Sequence, residues 1–459
     1  RELMTRHRMF DNLSDAAAAA LNAGVDMETP DGEAYLHIPE LLRAGRISMA
    51  QIDEAVRRIL RMKFESGLFE HPYVDAAAAD RLTAAPDAVA LAREAAGRAM
   101  VLLRNENNTL PLDAAHIGRL AVIGTHARDT PIGGYSDVPR HVVSVLEGLQ
   151  EEGRGRFQVD YAEGIRITEG HVWAQDEVRL TPPEVNDRLR AEALATARNA
   201  DVIVMVLGDN EQTSREAWAD SHLGDRDSLD LIGPQDQLAR EIFALGKPTV
   251  VILLNGRPLS VNYLAANAPA LLEGWYLGQE TGHGVADVLF GRVNPGGHLP
   301  VSIARSAGQL PIFYNHKPTA RRGYLFGTTS PLYPFGYGLS YTSFDISAPR
   351  LPRPTVRVGD NVRVEVDVRN TGARAGDEVV QLYLRDDQAS ITRPVIELKR
   401  FQRVTLRPGE QRTIAFELTP DDLSLWNQQM RWVVEPGTFT LSSGPDSATL
   451  RSATLTVRP

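Results

Sequence analysis

One stretch of this chain gathers the residue types that do acid and base work. Gly208-Asp209-Asn210-Glu211-Gln212-Thr213-Ser214-Arg215-Glu216-Ala217-Trp218 leads on to Gly224-Asp225-Arg226-Asp227-Ser228-Leu229. Two glutamates, Glu211 and Glu216, lie beside the Trp218 indole and the Arg215 and Arg226 guanidiniums. That mix suits chemistry on a sugar, where a carboxylic acid protonates a leaving oxygen and an aromatic face holds a ring. The same residues also read as a solvated loop whose carboxylates pair with Arg215 and Arg226. Composition alone leaves both readings open.

Other candidates are weaker. Gly133-Gly134-Tyr135-Ser136 fits neither GxGxxG nor GxxxxGK[ST], so it reads as a tight turn rather than a phosphate cradle. His283 and His298 flank glycine-rich turns without zinc-site spacing and read as structural histidines. Asp26 and Glu28 either line a pocket or cap the loop that follows them. No metal and no cofactor is called for.

The elements that must position these residues follow from hydrophobic periodicity. Residues 120–123, 202–207, 249–254 and 270–275 are short, nearly continuous apolar runs, the pattern of strands buried on both faces of a parallel sheet. Helical segments at 185–198 and 235–244 lie between them. Right-handed crossovers then give an open sheet with helices on both sides and sites at the carboxyl ends of its strands. The loops after Ile123, Leu207, Leu254 and Trp275 are therefore the ones to search. The loop after Leu207 far exceeds the roughly 2–6 residues of a plain connection, and the excess points to function.

Before this region, residues 1–82 read as helix at 15–22, a brief strand at 24–27, and helices at 38–42 and from a Ser48/Gln51 capping box to Gly67. One strand cannot build the sheet that would bury such helices, so a preceding segment is expected. Residues 83–304 form the α/β sheet domain and 305–344 a Pro-, Gly- and Tyr-rich linker. From 345 to 459 the period switches to two, as in Val362, Val364, Val366 and Val368, which predicts an all-β two-sheet sandwich.

Composition sets outer limits. With 459 residues, 43% apolar and 24% charged, the chain is of ordinary folded composition and long enough for about three domains. Its net charge of −10 opposes nucleic acid and anionic membranes, and no apolar run approaches the ~18 residues of a spanning helix. The lack of cysteine excludes a thiol nucleophile and leaves the compartment open.

Several segments are familiar in order. Ala23-Gly24-Val25-Asp26-Met27, Ile59-Leu60-Arg61-Met62-Lys63-Phe64-Glu65-Ser66-Gly67-Leu68-Phe69-Glu70, Val101-Leu102-Leu103-Arg104-Asn105-Glu106 and Ala121-Val122-Ile123-Gly124 come first. Ala286-Asp287-Val288-Leu289-Phe290-Gly291, Asn294-Pro295-Gly296-Gly297-His298-Leu299-Pro300 and Tyr333-Pro334-Phe335-Gly336-Tyr337-Gly338-Leu339-Ser340-Tyr341 follow. Together they resemble the family 3 glycoside hydrolases over essentially the whole chain.

The resemblance implies a (β/α)8 barrel, of which 1–82 would be the C-terminal remnant, an α/β sandwich domain with a mostly parallel sheet, and a C-terminal fibronectin type III-like domain. It implies a retaining, exo-acting β-glycosidase that releases terminal glucose from oligosaccharides or glycosides, with xylose as the alternative sugar. Glu216 matches the acid/base position and is promoted over Glu211. Glu211, Arg215 and Trp218 are then candidate substrate contacts, although Trp218 fits a packed hinge as well. The family's nucleophilic aspartate lies ahead of the Ala23-Gly24-Val25-Asp26 segment, so it is expected upstream of Arg1, on a barrel segment of the same or a separate chain. Without that aspartate, a non-catalytic carbohydrate-binding protein is the competing reading, and a nucleotide-binding α/β protein has only topology behind it.

Overall fold

Continuous apolar runs are stable as strands only where both sheet faces are covered, and the middle of the chain meets that condition. In the computed structural model, which describes residues 1–136, 139–170, 172, 174–217, 221–320 and 323–459, six strands form one sheet. They are β1 (Val101–Asn105), β2 (Arg119–Ile123), β3 (Gln158–Ala162), β4 (Val202–Gly208), β5 (Thr249–Leu254) and β6 (Ala270–Glu273). Their order is β1-β6-β5-β4-β2-β3, with every pairing parallel except β1 against β6. Alternate residues feed two separate cores. Val204, Val206 and Ile252 face one, while Ile203, Met205 and Val251 face the other. Each fully buried aliphatic chain of this kind contributes about 1.5–3 kcal/mol.

Strands β2, β4 and β5 match the expected runs, and helices Pro183–Arg198 and Gln235–Phe243 match the segments between them. The expected 270–275 strand ends instead at Glu273, because Trp275 takes a φ of 56° that an extended strand does not allow. Strands β1 and β3 were not expected.

On one face, helices Val145–Gly153 and Thr281–Leu289 pack so closely that a Cβ on Gly148 would lie 2.2 Å from the Gly282 carbonyl oxygen. His283 joins the two helices. Its Nδ1 donates to Glu280 Oε2 at 2.6 Å and its Nε2 to Glu151 Oε2 at 3.0 Å, which requires the imidazolium form. Burial opposes that charge, but the two carboxylates prevail and hold the histidine above its usual value. The clamp is therefore complete below the ordinary histidine range near pH 6.5 and is lost as pH rises through the raised native value. Glu151 and Glu280 carry the opposing charge, with Arg93 nearby. We expect thermal scans from pH 6 to 9 to lower the unfolding midpoint of the wild type more than that of His283→Gln. Parallel curves would contradict the clamp. His298, the other singled-out histidine, is half-buried and hydrogen-bonds through Nδ1 to the Gly336 carbonyl at 2.6 Å.

Residues 1–85 form one compact unit and 86–459 another. In the first, Asn12 caps helix Leu13–Asn22 and the Ser48/Gln51 capping box opens helix Met49–Glu65. Ala17, Ala18, Leu21, Leu41, Ile47 and Ala55 make its small core. The strand expected at 24–27 is irregular backbone, and no strand occurs among residues 1–85. An extended segment needs a neighbour to pair with, and none is present there. Asp26 instead binds Arg58 at 2.5 and 2.7 Å, and Glu28 accepts from the Tyr35 N–H at 2.9 Å.

The C-terminal sequence forms the expected sandwich. Its strands are β7 (Phe344–Ile346), β8 (Thr355–Arg357), β9 (Val362–Asn370), β10 (Gly376–Asp386), β11 (Glu397–Leu406), β12 (Gln411–Leu418), β13 (Leu425–Trp426), β14 (Trp432–Val433), β15 (Gly437–Gly444) and β16 (Arg451–Arg458). A five-stranded sheet, β11-β10-β15-β16-β8, faces a three-stranded one, β12-β9-β7. Val362, Val364, Val366 and Val368 all point into the core between them.

Candidate functional site

The loop singled out by its chemistry leaves the sheet at Gly208, and the backbone there admits nothing larger. Gly208 has a φ of 145°, and a Cβ would lie 1.9 Å from the Leu254 carbonyl oxygen of β5. Gln235 fixes the same residue, accepting from its N–H at 3.0 Å and donating to its carbonyl at 2.9 Å. Asp209 comes next and is fully buried. Its Oδ2 accepts from Arg226 Nη1 at 2.9 Å, while Oδ1 has no partner among the described residues. Burial pushes the Asp209 carboxyl up to about 6 against the pull of Arg226 and Arg257. Asn210 then caps the single turn Glu211–Ser214, its Oδ1 accepting from the Thr213 N–H at 3.1 Å.

Glu211 and Glu216 part company at this point. Glu211 is half-buried, and its Oε1 accepts from the N–H groups of Ile132 and Gly133 at 3.2 and 3.1 Å. It therefore ties the loop after β2 to the loop after β4. Glu216 is exposed, and no hydrogen bond or ion pair holds it among the described residues. It lines a cleft of about 590 Å³ with Gly134, Ser136, Ser214, Gly256 and Tyr276. The loops after β2, β4, β5 and β6 all reach this cleft, as the sheet topology predicts. A larger cavity of about 1190 Å³ shares Glu211 and the 132–136 turn with it. In that turn the Ser136 N–H closes on the Gly133 carbonyl at 3.0 Å.

Arg215 is buried and turned inward. Its Nε donates to the Leu223 carbonyl at 2.9 Å, Nη1 to Gln175 at 2.5 Å and Nη2 to Asp176 at 2.8 Å. Of the two readings left open, the one that pairs the glutamates with Arg215 and Arg226 is not what forms among the described residues. One guanidinium is engaged by main-chain carbonyls and the other by Asp209, because buried N–H groups take the nearest acceptors. Trp218 lies outside the described residues.

Two contributors escaped sequence reasoning. Tyr276 brings its hydroxyl to 3.3 Å from Ser214 Oγ, and burial raises that phenol to about 12. Arg257 donates from Nη2 to the Ser214 and Arg215 carbonyls at 3.3 and 3.4 Å. The aromatic pair at 275–276, placed where a strand was expected to stop, was the one signal for the first. Nothing local marks the second.

What this arrangement offers, among the described residues, is a carboxyl on a cleft wall without a hydrogen bond or ion pair, standing on a braced loop. Family comparison agrees with the motif order. A model described as the glycosyl hydrolase family 3 C-terminal domain matches residues 100–341, one for the family's N-terminal domain matches 2–62, and one for a fibronectin type III-like domain matches 378–447. A Formosa agariphila beta-xylosidase is 39% identical over 99% of this chain and 63% of its own length. A periplasmic beta-glucosidase of Salmonella typhimurium is 37% identical over 98% and 61%. Among solved structures, a β-glucosidase of Erythrobacter marinus superimposes with a TM-score of 0.97 at 46% identity, covering all of this chain and 62% of that one. The beta-glucosidase of Listeria innocua in complex with glucose gives 0.88 at 34% identity, covering 100% and 61%. The chain thus spans about three-fifths of the length of these relatives.

Proposed function

The chain belongs to glycoside hydrolase family 3, and from that premise we propose that it carries the acid/base of a retaining, exo-acting β-glycosidase, with Glu216 in that role. The observation that supports the reading is the contrast among the loop's carboxylates. Asp209 is buried in an ion pair and Glu211 is bonded to two backbone N–H groups, whereas Glu216, with no bond among the described residues, lies on the cleft wall, which Asp225 and Asp227 do not line.

In the mechanism this implies, Glu216 protonates the glycosidic oxygen as the bond to the anomeric carbon breaks and an aspartate forms a glycosyl ester. Glu216 then takes the proton from the water that opens the ester. The aspartate must approach to about 5–5.5 Å of Glu216, and we assign it to a barrel segment outside these 459 residues, on the same or a separate chain. An acid in this role must hold its proton until the bond breaks, which calls for shielding from water once substrate is bound. Glu211 and Arg215 contribute by fixing the backbone around Glu216, and Trp218 is the candidate aromatic contact.

Terminal β-linked glucose is the proposed substrate, and the similarity to a Formosa agariphila beta-xylosidase makes β-xylosides the second choice. The test is release of p-nitrophenol from the β-glucoside and the β-xyloside by the protein complete with its barrel. Higher kcat/KM on the glucoside supports the first choice, higher kcat/KM on the xyloside moves the assignment to xylose, and no turnover of either contradicts both.

A further inference from the structure

The loop that carries Glu216 is braced from two sides, and both braces lead back to one buried acid. From the loop after β5, Arg257 holds the Ser214 and Arg215 carbonyls, and the Arg257 carbonyl is itself held by Asn255 Nδ2 at 2.9 Å. From the loop after β6, the Tyr276 hydroxyl meets Ser214 Oγ. The Tyr276 ring closes over Gly256, where a Cβ would lie 3.0 Å from it. Tyr276 follows Trp275, which sits at a φ of 56° with its N–H held by Glu273 Oε1 at 3.0 Å. Left-handed backbone at a tryptophan is unfavourable and persists only where a neighbour fixes it.

Glu273 and Asn255 are both wholly buried, and the Asn255 side chain adjoins the Glu273 carboxyl. Nδ2 is committed to the Arg257 carbonyl, which leaves Oδ1 as the Asn255 atom open to a proton from the acid. Turning the amide over would only set that oxygen against a carbonyl. Asn255 Oδ1 and Glu273 Oε2 both lack a donor among the described residues. A single proton on Oε2 converts one of these acceptors into a donor and satisfies both. Opposite Glu273, β1 presents Val101 and β5 presents Leu253, both apolar. Burial lifts the carboxyl to about 8 against the one geometric donor it has among the described residues, the Trp275 N–H.

We propose that Glu273 is a positioning residue: a neutral carboxylic acid that donates to Asn255, accepts from Trp275, and so holds the Arg257 and Tyr276 braces on the Glu216 loop. Its catalytic consequence rests on Glu216 being the acid/base, but the bracing itself does not.

Two measurements without substrate test it. In isotope-edited infrared spectra, the wild type should show a neutral carboxylic acid band that fades as pH rises through about 8 and is missing in Glu273→Gln. Hydrogen exchange at the Thr213 and Ser214 amides, corrected for its intrinsic pH dependence, should rise about tenfold in the wild type between about pH 6.5 and 9.5. Glu273→Gln donates to Asn255 and accepts from Trp275 at either pH, so its exchange should stay slow. Glu273→Leu should exchange fast at both, and if it fails to fold, the wild type and the Gln variant still decide. An infrared band that survives in Glu273→Gln, or wild-type exchange that does not change across this range, overturns the proposal. Either result would leave the assignment of Glu216 untouched, and an active Glu216→Gln enzyme would leave these two readouts standing.

Discussion

Glu216→Gln in the catalytically complete protein should lose about 10²–10⁴-fold in kcat on alkyl and unactivated aryl β-glycosides, the usual contribution of a positioned general acid. A 2,4-dinitrophenyl glycoside leaves without protonation, so its glycosylation step should slow far less. Hydrolysis of the glycosyl ester would then become rate-limiting, because the same side chain activates the water, and a burst of dinitrophenol should precede slow turnover. The substitution is isosteric at an exposed residue that makes no hydrogen bond or ion pair among the described residues, so folding should be unchanged. Steady-state kinetics on a series of leaving groups, with a thermal scan as control, checks both halves. Equal losses across the series would remove Glu216 from the acid role.

Arg226→Met should cost about 3–5 kcal/mol, because it removes the guanidinium bonded to the buried Asp209 carboxylate and leaves only Arg257 at longer range. At roughly 2–4 °C per kcal/mol for a domain of a few hundred residues, the midpoint should fall by on the order of 10 °C near pH 8. The loss should shrink in acid. The native Asp209 carboxyl is raised to about 6, above the ordinary value near 3.9, so the folded state binds this proton more tightly than the unfolded one. Removing the arginine takes away a group that lowers Asp209, so the variant should recover most clearly below pH 6. Thermal unfolding at pH 5 and pH 8 checks this, and a destabilisation that is the same at both would mean that Asp209 is not the cause.

How much of this was legible beforehand depended on whether the signal was local. Strands β2, β4 and β5 stood out because they are buried on both faces, and the Ser48/Gln51 box and the Glu211/Glu216 loop because their signals are contiguous in sequence. Strand β3 did not, since Gln158, Asp160 and Tyr161 interrupt its apolar pattern at the sheet edge. Strand β1 follows directly on helix Pro86–Ala99 and runs antiparallel, so its apolar residues carry no mark of a new element. The 24–27 segment has strand-like composition and no partner to pair with. At the site, whether Arg215 and Arg226 pair with the glutamates could not be read in advance, because sequence proximity says nothing about which carbonyl or buried carboxylate lies nearer in space. Arg257, Asn255, Glu273 and Tyr276 reach the loop only because the crossovers set the ends of β4, β5 and β6 side by side.

Azide rescue tests the central claim most directly. With Glu216→Ala in the barrel-complete protein and 2,4-dinitrophenyl β-glucoside as substrate, azide needs no general base and should attack the glycosyl ester that water opens slowly. The account predicts faster turnover with added azide and a β-glucosyl azide product of retained configuration. No acceleration, or an α-glucosyl azide, which would mark Glu216 as the nucleophile instead, would contradict it.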